Sequence, residues 1–258
     1  MKRFVLSSPP GPDGIIRLYG EDYHYLIRVR RLKAGMSFDA ILPGGAETKV
    51  NILSTVDKIL IGECLGGIEK QPPLLPTLAL FQGLPKGSKM DLIVRQAAEG
   101  GVSIIAPFES EFSAVRITDT KAEKRKRWEK IVKEARQQSG STIETKVLAP
   151  CGFDALLEYW ESLKKEYKRP LGILFHQDPL ETGSFHDYLG KDPDFVALAV
   201  GPEGGFSSGE VSRFLAAGWK ALVMGNTILR TETAALYGSA VTRMILLESE
   251  TWSTSLKE

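Results

Sequence analysis

The sequence predicts an α/β protein in two parts, a small β-barrel followed by a larger domain whose parallel sheet carries helices on both faces. Three features of the 258-residue chain lead there. Up to about residue 70, apolar runs of strand length follow one another with turn residues between them. Three prolines then fall within Gln71-Pro72-Pro73-Leu74-Leu75-Pro76, which suits neither a helix nor a central strand and reads as an extended connector. Beyond it the hydrophobic period alternates between strand and helix as far as a polar end, Glu248 to Glu258, that reads as frayed. The expected boundaries are therefore 1–70 for the barrel, 71–76 for the connector and 77–258 for the α/β domain.

In the first part, Phe4–Leu6, Gly14–Leu18, Ser37–Leu42, Thr48–Leu53 and Ile59–Cys64 are the strand-like runs, divided by turns such as Pro43-Gly44-Gly45. Asp22 to Gly35 departs from them and reads as one or two amphipathic helical turns ending at Gly35. Four of the six residues from Arg28 to Lys33 are basic. Two readings of that patch stay open: a solvated charged face, or a phosphate-contacting surface of an RNA-binding barrel through Arg28, Arg30 and Arg31.

After the connector, Thr77–Phe81 reads as a strand, Ser88–Gly100 as a helix and Val102–Ala106 as a strand. Ala122–Ser139 is a helix with Trp128, Ile131, Val132 and Ala135 on one face. Lys146–Ala149 follows, then a helix with Phe153, Leu156, Leu157, Trp160 and Leu163 inward, and the strand Leu171–Phe175. Phe195–Val200 is apolar at every position, as in a strand buried on both faces. Gly201-Pro202-Glu203-Gly204-Gly205 comes next, and Ser207 with Glu210 has capping-box spacing at the start of a helix that stops by Gly218. The design repeats in Ala221–Met224, the turn Gly225-Asn226-Thr227, and a long apolar helix entered through Arg230 to Ala235. From Thr233 to Leu247 that helix spreads Ala234, Ala235, Leu236, Tyr237, Ala240, Val241, Ile245 and Leu246 over more arc than one sheet face covers, which suggests a dimer.

Two strand-to-helix turns at neighbouring strand ends form one crevice, where open α/β sheets bind ligands. Glycines there admit a ligand against bare backbone, and successive N–H groups beside a helix start favour an anion or acceptor; an ordinary tight turn is the plainer alternative. The usual dinucleotide and P-loop fingerprints are missing. Arg230 stands at a helix start, where the macrodipole opposes a cation by about 0.3–1 kcal/mol. A bound anionic group would compensate it, and so would a salt bridge to Glu203 or Glu232. His176 ends a strand and faces the crevice, where a hydrogen-bonded structural role is the commoner one, and His24 and His186 are scattered. No metal site is expected from them.

Charge is nearly balanced overall, 33 basic against 32 acidic residues, yet Lys121 to Arg136 holds eight Lys or Arg against three Glu. Cys64 and Cys151 are too few for a disulfide framework or a zinc set and fit a reducing cytoplasm. The apolar run after Met1-Lys2-Arg3 is three residues, too short for a signal peptide, and Arg243 interrupts the last stretch that approaches the ~18 residues of a membrane span. No membrane association is expected.

Gly201-Pro-Glu-Gly-Gly-Phe-Ser207 with Glu210, then Gly225-Asn-Thr-Ile-Leu-Arg-Thr-Glu-Thr-Ala234, closely resembles the paired signature of the RsmE-type methyltransferases of the SPOUT superfamily. Lys86 to Val102 is similar to that family's lysine-rich segment, Glu134 to Gly140 to its alanine-and-glutamine helix end, and His24 to Gly35 to its barrel motif. The resemblance covers nearly the whole chain. It implies a PUA-like RNA-binding barrel, a SPOUT domain with a deep C-terminal trefoil knot, a homodimer, and methylation of N3 of a uridine in 16S ribosomal RNA, free or in the assembled small ribosomal subunit. It implies S-adenosyl-L-methionine as cofactor, cradled by Phe175, His176 and Gln177, by Val200, Gly201, Pro202, Glu203, Gly204 and Gly205, and by Met224, Gly225, Asn226, Ile228, Leu229, Thr233 and Ala234. Arg230 is then the expected catalytic residue, orienting the uracil or stabilising its developing charge, with Glu203 and Glu232 handling a proton or fixing Arg230. RNA contacts are expected from Arg28, Arg30, Arg31, Lys86, Lys89, Lys126 and Arg136.

Three positions depart from the family pattern: Ser141 and Thr227 stand where arginine is usual, and Gly100 where leucine is. The first two remove positive charge and leave the cofactor turns intact. Two rival readings remain, a non-catalytic RNA-binding or ribosome-assembly protein that keeps the fold, and a small-molecule enzyme of doubly wound type.

Overall fold

A computed structural model describes residues 3–67, 75–117, 121–180 and 183–255. Of the connector expected over residues 71–76, residues 71–74 lie outside the described residues. The chain divides into two units, Met1–Pro72 with Arg136–Glu144, and Pro73–Ala135 with Thr145–Glu258.

The first unit is built on a curled five-stranded sheet in the order β1-β3-β4-β5-β2, with β1 Phe4–Val5, β2 Ile15–Leu18, β3 Ser37–Ile41, β4 Glu47–Val56 and β5 Ile59–Gly67. β1 runs parallel to β3 and the other pairs are antiparallel. The sheet forms half a barrel where a barrel was expected. Strands β4 and β5 are joined through Asp57 and Lys58, both at positive φ, the twist a two-residue hairpin turn needs. Phe4, Ile16, Leu18, Phe38, Val50, Ile52 and Leu60 fill the concave side together with Leu26. Leu26 belongs to a short helix, α1 Gly20–Tyr23, that widens into a π-helical stretch over His24–Val29. The helix therefore stops before Gly35, and Arg31 at φ +57 turns the chain away from it. Residues 136–144 join this unit: Arg3 donates to the Gly140 carbonyl at 3.2 Å and pairs with Glu47 at 3.1 Å.

The second unit is a parallel sheet in the order β12-β10-β11-β6-β7-β8, with the short β9 Cys151–Gly152 also on β7. Its strands are β6 Thr77–Gly83, β7 Ile104–Glu109, β8 Lys146–Val147, β10 Pro170–Phe175, β11 Phe195–Val200 and β12 Lys220–Leu222. All six residues of β11 are buried, as its uniform apolarity predicts. Val196, Leu198 and Val200 face one core, with side chains of α2 Lys89–Glu99, α3 Lys121–Ser139, α5 Phe185–Leu189 and α7 Thr231–Ser255. Phe195, Ala197 and Ala199 face the other, with α4 Phe153–Glu166 and α6 Ser208–Ala216.

Close approach is set by single residues. A Cβ on Gly238 of α7 would stand 2.3 Å from the Phe175 ring, so the helix lies directly on the end of β10. Of the apolar arc expected on α7, Ala234, Ala235, Ile245 and Leu246 are core, Val241 is half-buried, and Leu236, Tyr237 and Ala240 are exposed; Met244 and Leu247, outside that expectation, are exposed as well. No helix of the described residues is long and apolar enough to cross a membrane.

Candidate active site

Because β12, β10, β11 and β6 lie side by side, their carboxyl ends at Leu222, Phe175, Val200 and Gly83 share one rim of the sheet. The expected cofactor residues leave from three of these ends: Phe175 to Gln177 after β10, Val200 to Gly205 after β11, and Met224 to Leu229 after β12. The fourth end supplies a group that motif reading misses. Gln82 is fully buried, and its Nε2 donates to the Gly83 carbonyl and to Thr231 Oγ1, each at 2.9 Å. Thr231 Oγ1 in turn donates to the Gly201 carbonyl at 2.6 Å. This clasp holds β6, the glycine turn and the start of α7 together.

Each glycine of the turn has its own reason. Gly205 sits at φ +70 with nothing within 4 Å of where a Cβ would be, so its backbone conformation requires glycine and its open side faces no protein atom. At Gly201 a Cβ would lie 3.0 Å from the Gly205 backbone, which makes the turn tight. Gly204 corrects the expectation of a backbone bared to ligand: a Cβ there would meet Phe112 Cβ at 2.8 Å, so Phe112 already occupies that side.

The capping box read from Ser207 and Glu210 is present. Ser207 Oγ accepts from the Glu210 N–H at 3.2 Å, and the Glu210 carboxylate accepts from the Ser207 N–H at 3.0 Å. That carboxylate is buried and accepts two further bonds at 3.0 Å, from Ser110 Oγ and the Glu111 N–H. One side chain thus caps α6 and fastens the loop after β7 to the glycine turn.

Arg230 immediately precedes Thr231 at the start of α7 and is exposed; its carbonyl accepts from the Ala234 N–H at 2.8 Å, while its guanidinium has no hydrogen bond or ion pair among the described residues. The salt bridge to Glu203 or Glu232 is not formed, because both carboxylates turn to Lys89. Its Nζ lies 2.8 Å from Glu203 Oε1 and 3.6 Å from Glu232 Oε2. Glu203 also accepts from the Lys86 N–H at 3.1 Å. Partial burial raises the Glu203 carboxyl, but the bonds from Lys89 and from backbone N–H groups outweigh it and hold the group below its ordinary range. The bond to Glu203 holds Lys89 above its own. A carboxylate so stabilised is a weak proton acceptor, which argues against Glu203 as a base and against Glu203 or Glu232 as the group that fixes Arg230.

The other expected residues divide. His176 makes local bonds: its backbone N–H donates to the Leu222 carbonyl at 3.0 Å, and its Nδ1 accepts from the Asp178 N–H at 3.1 Å. Gln177, Gly225, Asn226, Ile228 and Thr233 are exposed around the rim, Ile228 at 83%. Lys86 and Lys126 are exposed, as an RNA contact requires, whereas Lys89 is already neutralised by its two carboxylates. In the first unit Arg28 and Arg31 are exposed and Arg30 is half-buried. Arg136 is 6% exposed, its Nε donates to the Ser141 carbonyl at 3.4 Å, and it is withdrawn from the RNA-facing set. No group of three or more His, Cys, Asp or Glu that could hold a metal occurs among the described residues.

An α/β domain that gathers the loops after β10, β11 and β12 on one carboxyl rim of its parallel sheet, edged by a guanidinium without a partner, is the architecture of an enzyme that binds a nucleotide-like cofactor. The family model described as RNA methyltransferase domain matches residues 72–243, and the chain belongs to that family, among the proteins called ribosomal RNA small subunit methyltransferase E. It is 31% identical to ribosomal RNA small subunit methyltransferase E of Bacillus subtilis (strain 168), over 84% of this chain and 85% of that one. The protein of the same name from Synechocystis sp. is 30% identical over 90% of this chain and 74% of its own. Among solved structures, the Neisseria gonorrhoeae ribosomal RNA small subunit methyltransferase E bound to S-adenosyl methionine superposes with a TM-score of 0.79 at 25% identity, covering 95% of this chain and 98% of the other.

Proposed function

We propose that this protein transfers a methyl group from S-adenosyl-L-methionine to N3 of a uridine in 16S ribosomal RNA, free or in the assembled small subunit. The observation that carries this is the convergence of the three loops after β10, β11 and β12 on one rim, beside an arginine that no carboxylate neutralises. The cofactor fits the residues present. Gly205 offers an open backbone face, and the exposed Gly225 to Ile228 turn leaves the same rim of the sheet, one strand removed, to take a purine and an amino-acid moiety. Phe175 to Gln177, Val200 to Gly205, Met224 to Leu229, Thr233 and Ala234 would hold it.

When bound, S-adenosylmethionine supplies an electrophilic methyl group. The protein supplies position and charge. The Gln82–Thr231–Gly201 clasp fixes the glycine turn relative to the start of α7, so a ligand on the turn and the guanidinium of Arg230 keep a constant relation. Arg230 orients the uracil edge and stabilises the negative charge that develops on the base as the N3 proton passes to solvent water. Replacing it by Lys keeps the charge and loses the planar fork. A fall of ~10²-fold or more in the single-turnover rate, with cofactor affinity unchanged, is the expected result. A normal rate with weakened RNA affinity would make Arg230 a binding residue.

The finer family features belong to the same proposal. The curled sheet of the first unit is PUA-like, and its exposed Arg28 and Arg31 are RNA contacts of that unit; exposed Lys86 and Lys126 are RNA contacts of the second unit. A trefoil knot is supported by a chain that leaves the sheet edge at β12 and returns as α7 onto β6 and β11. The exposed Leu236, Tyr237, Met244 and Leu247 on α7 support a homodimer, and a cytoplasmic location follows from the substrate.

A further inference from the structure

Phe112 is 49% exposed at the tip of the loop after β7, and its ring has no aromatic or cationic partner among the described residues. Single exposed aromatics are common and need no explanation. This one is built in. The Ser113 N–H donates to the Ser110 carbonyl at 2.9 Å, and the Ser110 N–H donates to Ser113 Oγ at 3.1 Å, closing a tight turn around Glu111 and Phe112. Glu210 holds that turn from below through Ser110 Oγ and the Glu111 N–H. Gly204 leaves out the Cβ that would strike Phe112 Cβ, so the foot of the aromatic side chain packs on the glycine turn. A buried carboxylate and a glycine are both committed to displaying an apolar ring beside the crevice.

The strand order says what the ring is for. The cofactor loops follow β10, β11 and β12, whereas β7 lies beyond β6 on the opposite flank of the glycine turn. Phe112 therefore sits on the glycine turn on the side away from the loops after β10 and β12, and exposed Lys86 lies on the loop after β6, the strand between β7 and β11. A flat apolar face sharing a sheet rim with a cation suits a nucleobase with its phosphate, and an RNA base must be unstacked before its edge can be reached.

We propose that Phe112 is a stacking platform for an RNA base at or next to the target uridine, and so a positioning residue for substrate. This rests on the RNA methyltransferase reading of the crevice. The test uses the full-length protein with in vitro-transcribed 16S ribosomal RNA and with assembled small subunits, comparing F112L, F112Y and F112W with the unmodified protein. F112L, of similar bulk without a π-face, is expected to weaken RNA binding by roughly 5- to 100-fold. F112Y and F112W should restore it, S-adenosylmethionine affinity by calorimetry should not move, and the salt dependence of RNA binding should keep its slope because no charge is lost. F112L binding RNA as tightly as the unmodified protein overturns the proposal, as does a loss in S-adenosylmethionine affinity, which would place the ring on the cofactor or in support of the turn. An unmodified protein that binds RNA but transfers no methyl group to it refutes the methyltransferase reading separately, while the F112L binding comparison still decides the platform.

Discussion

Thr231→Val tests whether the clasp beneath the glycine turn organises the site. Valine matches threonine in shape and removes one hydroxyl, which accepts from Gln82 Nε2 at 2.9 Å and donates to the Gly201 carbonyl at 2.6 Å. Thr231 is buried and Gln82 completely so, whereas Gly201 is half-buried, so water can replace the bond to the Gly201 carbonyl but not the one to Gln82. One N–H of Gln82 would lose its partner, at about 1–3 kcal/mol for an unsatisfied buried group. The variant should lose roughly 1–3 kcal/mol of folding stability, a substantial part of the about 5–15 kcal/mol typical of a domain. Urea unfolding should show a lower midpoint at unchanged slope, and calorimetry a weaker S-adenosylmethionine affinity, because the Gly201 carbonyl no longer anchors the turn. In a cycle with Gln82→Leu, the double variant should cost less than the two singles added together, as expected of groups in one network. A change below about 0.5 kcal/mol, the range of an ordinary surface substitution, with normal cofactor affinity would refute the clasp as the organiser of the site.

Three other perturbations separate parts of the site. Gly205→Val places a β-branched residue at φ +70 in open space, so the cost is backbone strain of about 1–3 kcal/mol, and S-adenosylmethionine binding should be abolished in a protein that still folds; calorimetry and circular dichroism read the two effects. Lys89→Met removes the partner that holds Glu203 below its ordinary value of 4.5. A depressed folded-state value contributes stability that is full above the unfolded value and disappears as pH falls through the folded one, so the variant should lose stability at neutral pH and a smaller part of its pH dependence below about pH 4.5, followed by urea midpoints across pH. Met244→Glu on the exposed stripe of α7 should convert a dimeric mass to a monomeric one in light scattering at micromolar concentration, and a monomer before substitution would remove the dimer altogether.

Much of this was legible because it is local. The uniform apolarity of Phe195–Val200 marks a strand buried on both faces, and the spacing of Ser207 and Glu210 marks a capping box; both are present. A second box, Ser184 with Asp187 at the start of α5, carried the same signal and was available to the same reading. What periodicity does not carry is pairing across the chain. Gln82 and Thr231 are 149 residues apart, and Ser110 reaches Glu210 across 100, so neither contact leaves a mark within any one segment. Arg230 illustrates the same limit: its position at a helix start calls for compensation by a bound anion or by Glu203 or Glu232, and only the structure shows that Lys89 takes both carboxylates. Arg136 failed for a related reason, since a basic run fixes the composition of α3 and not which of its residues turn inward.

The most direct measurement is transfer of an isotopically labelled methyl group from S-adenosylmethionine to 16S ribosomal RNA and to assembled small subunits, followed by nucleoside analysis. The expected result is label in 3-methyluridine at a single position, lost with Gly205→Val and strongly slowed with Arg230→Lys. No label in RNA from either substrate, or label on an atom other than uridine N3, would contradict it.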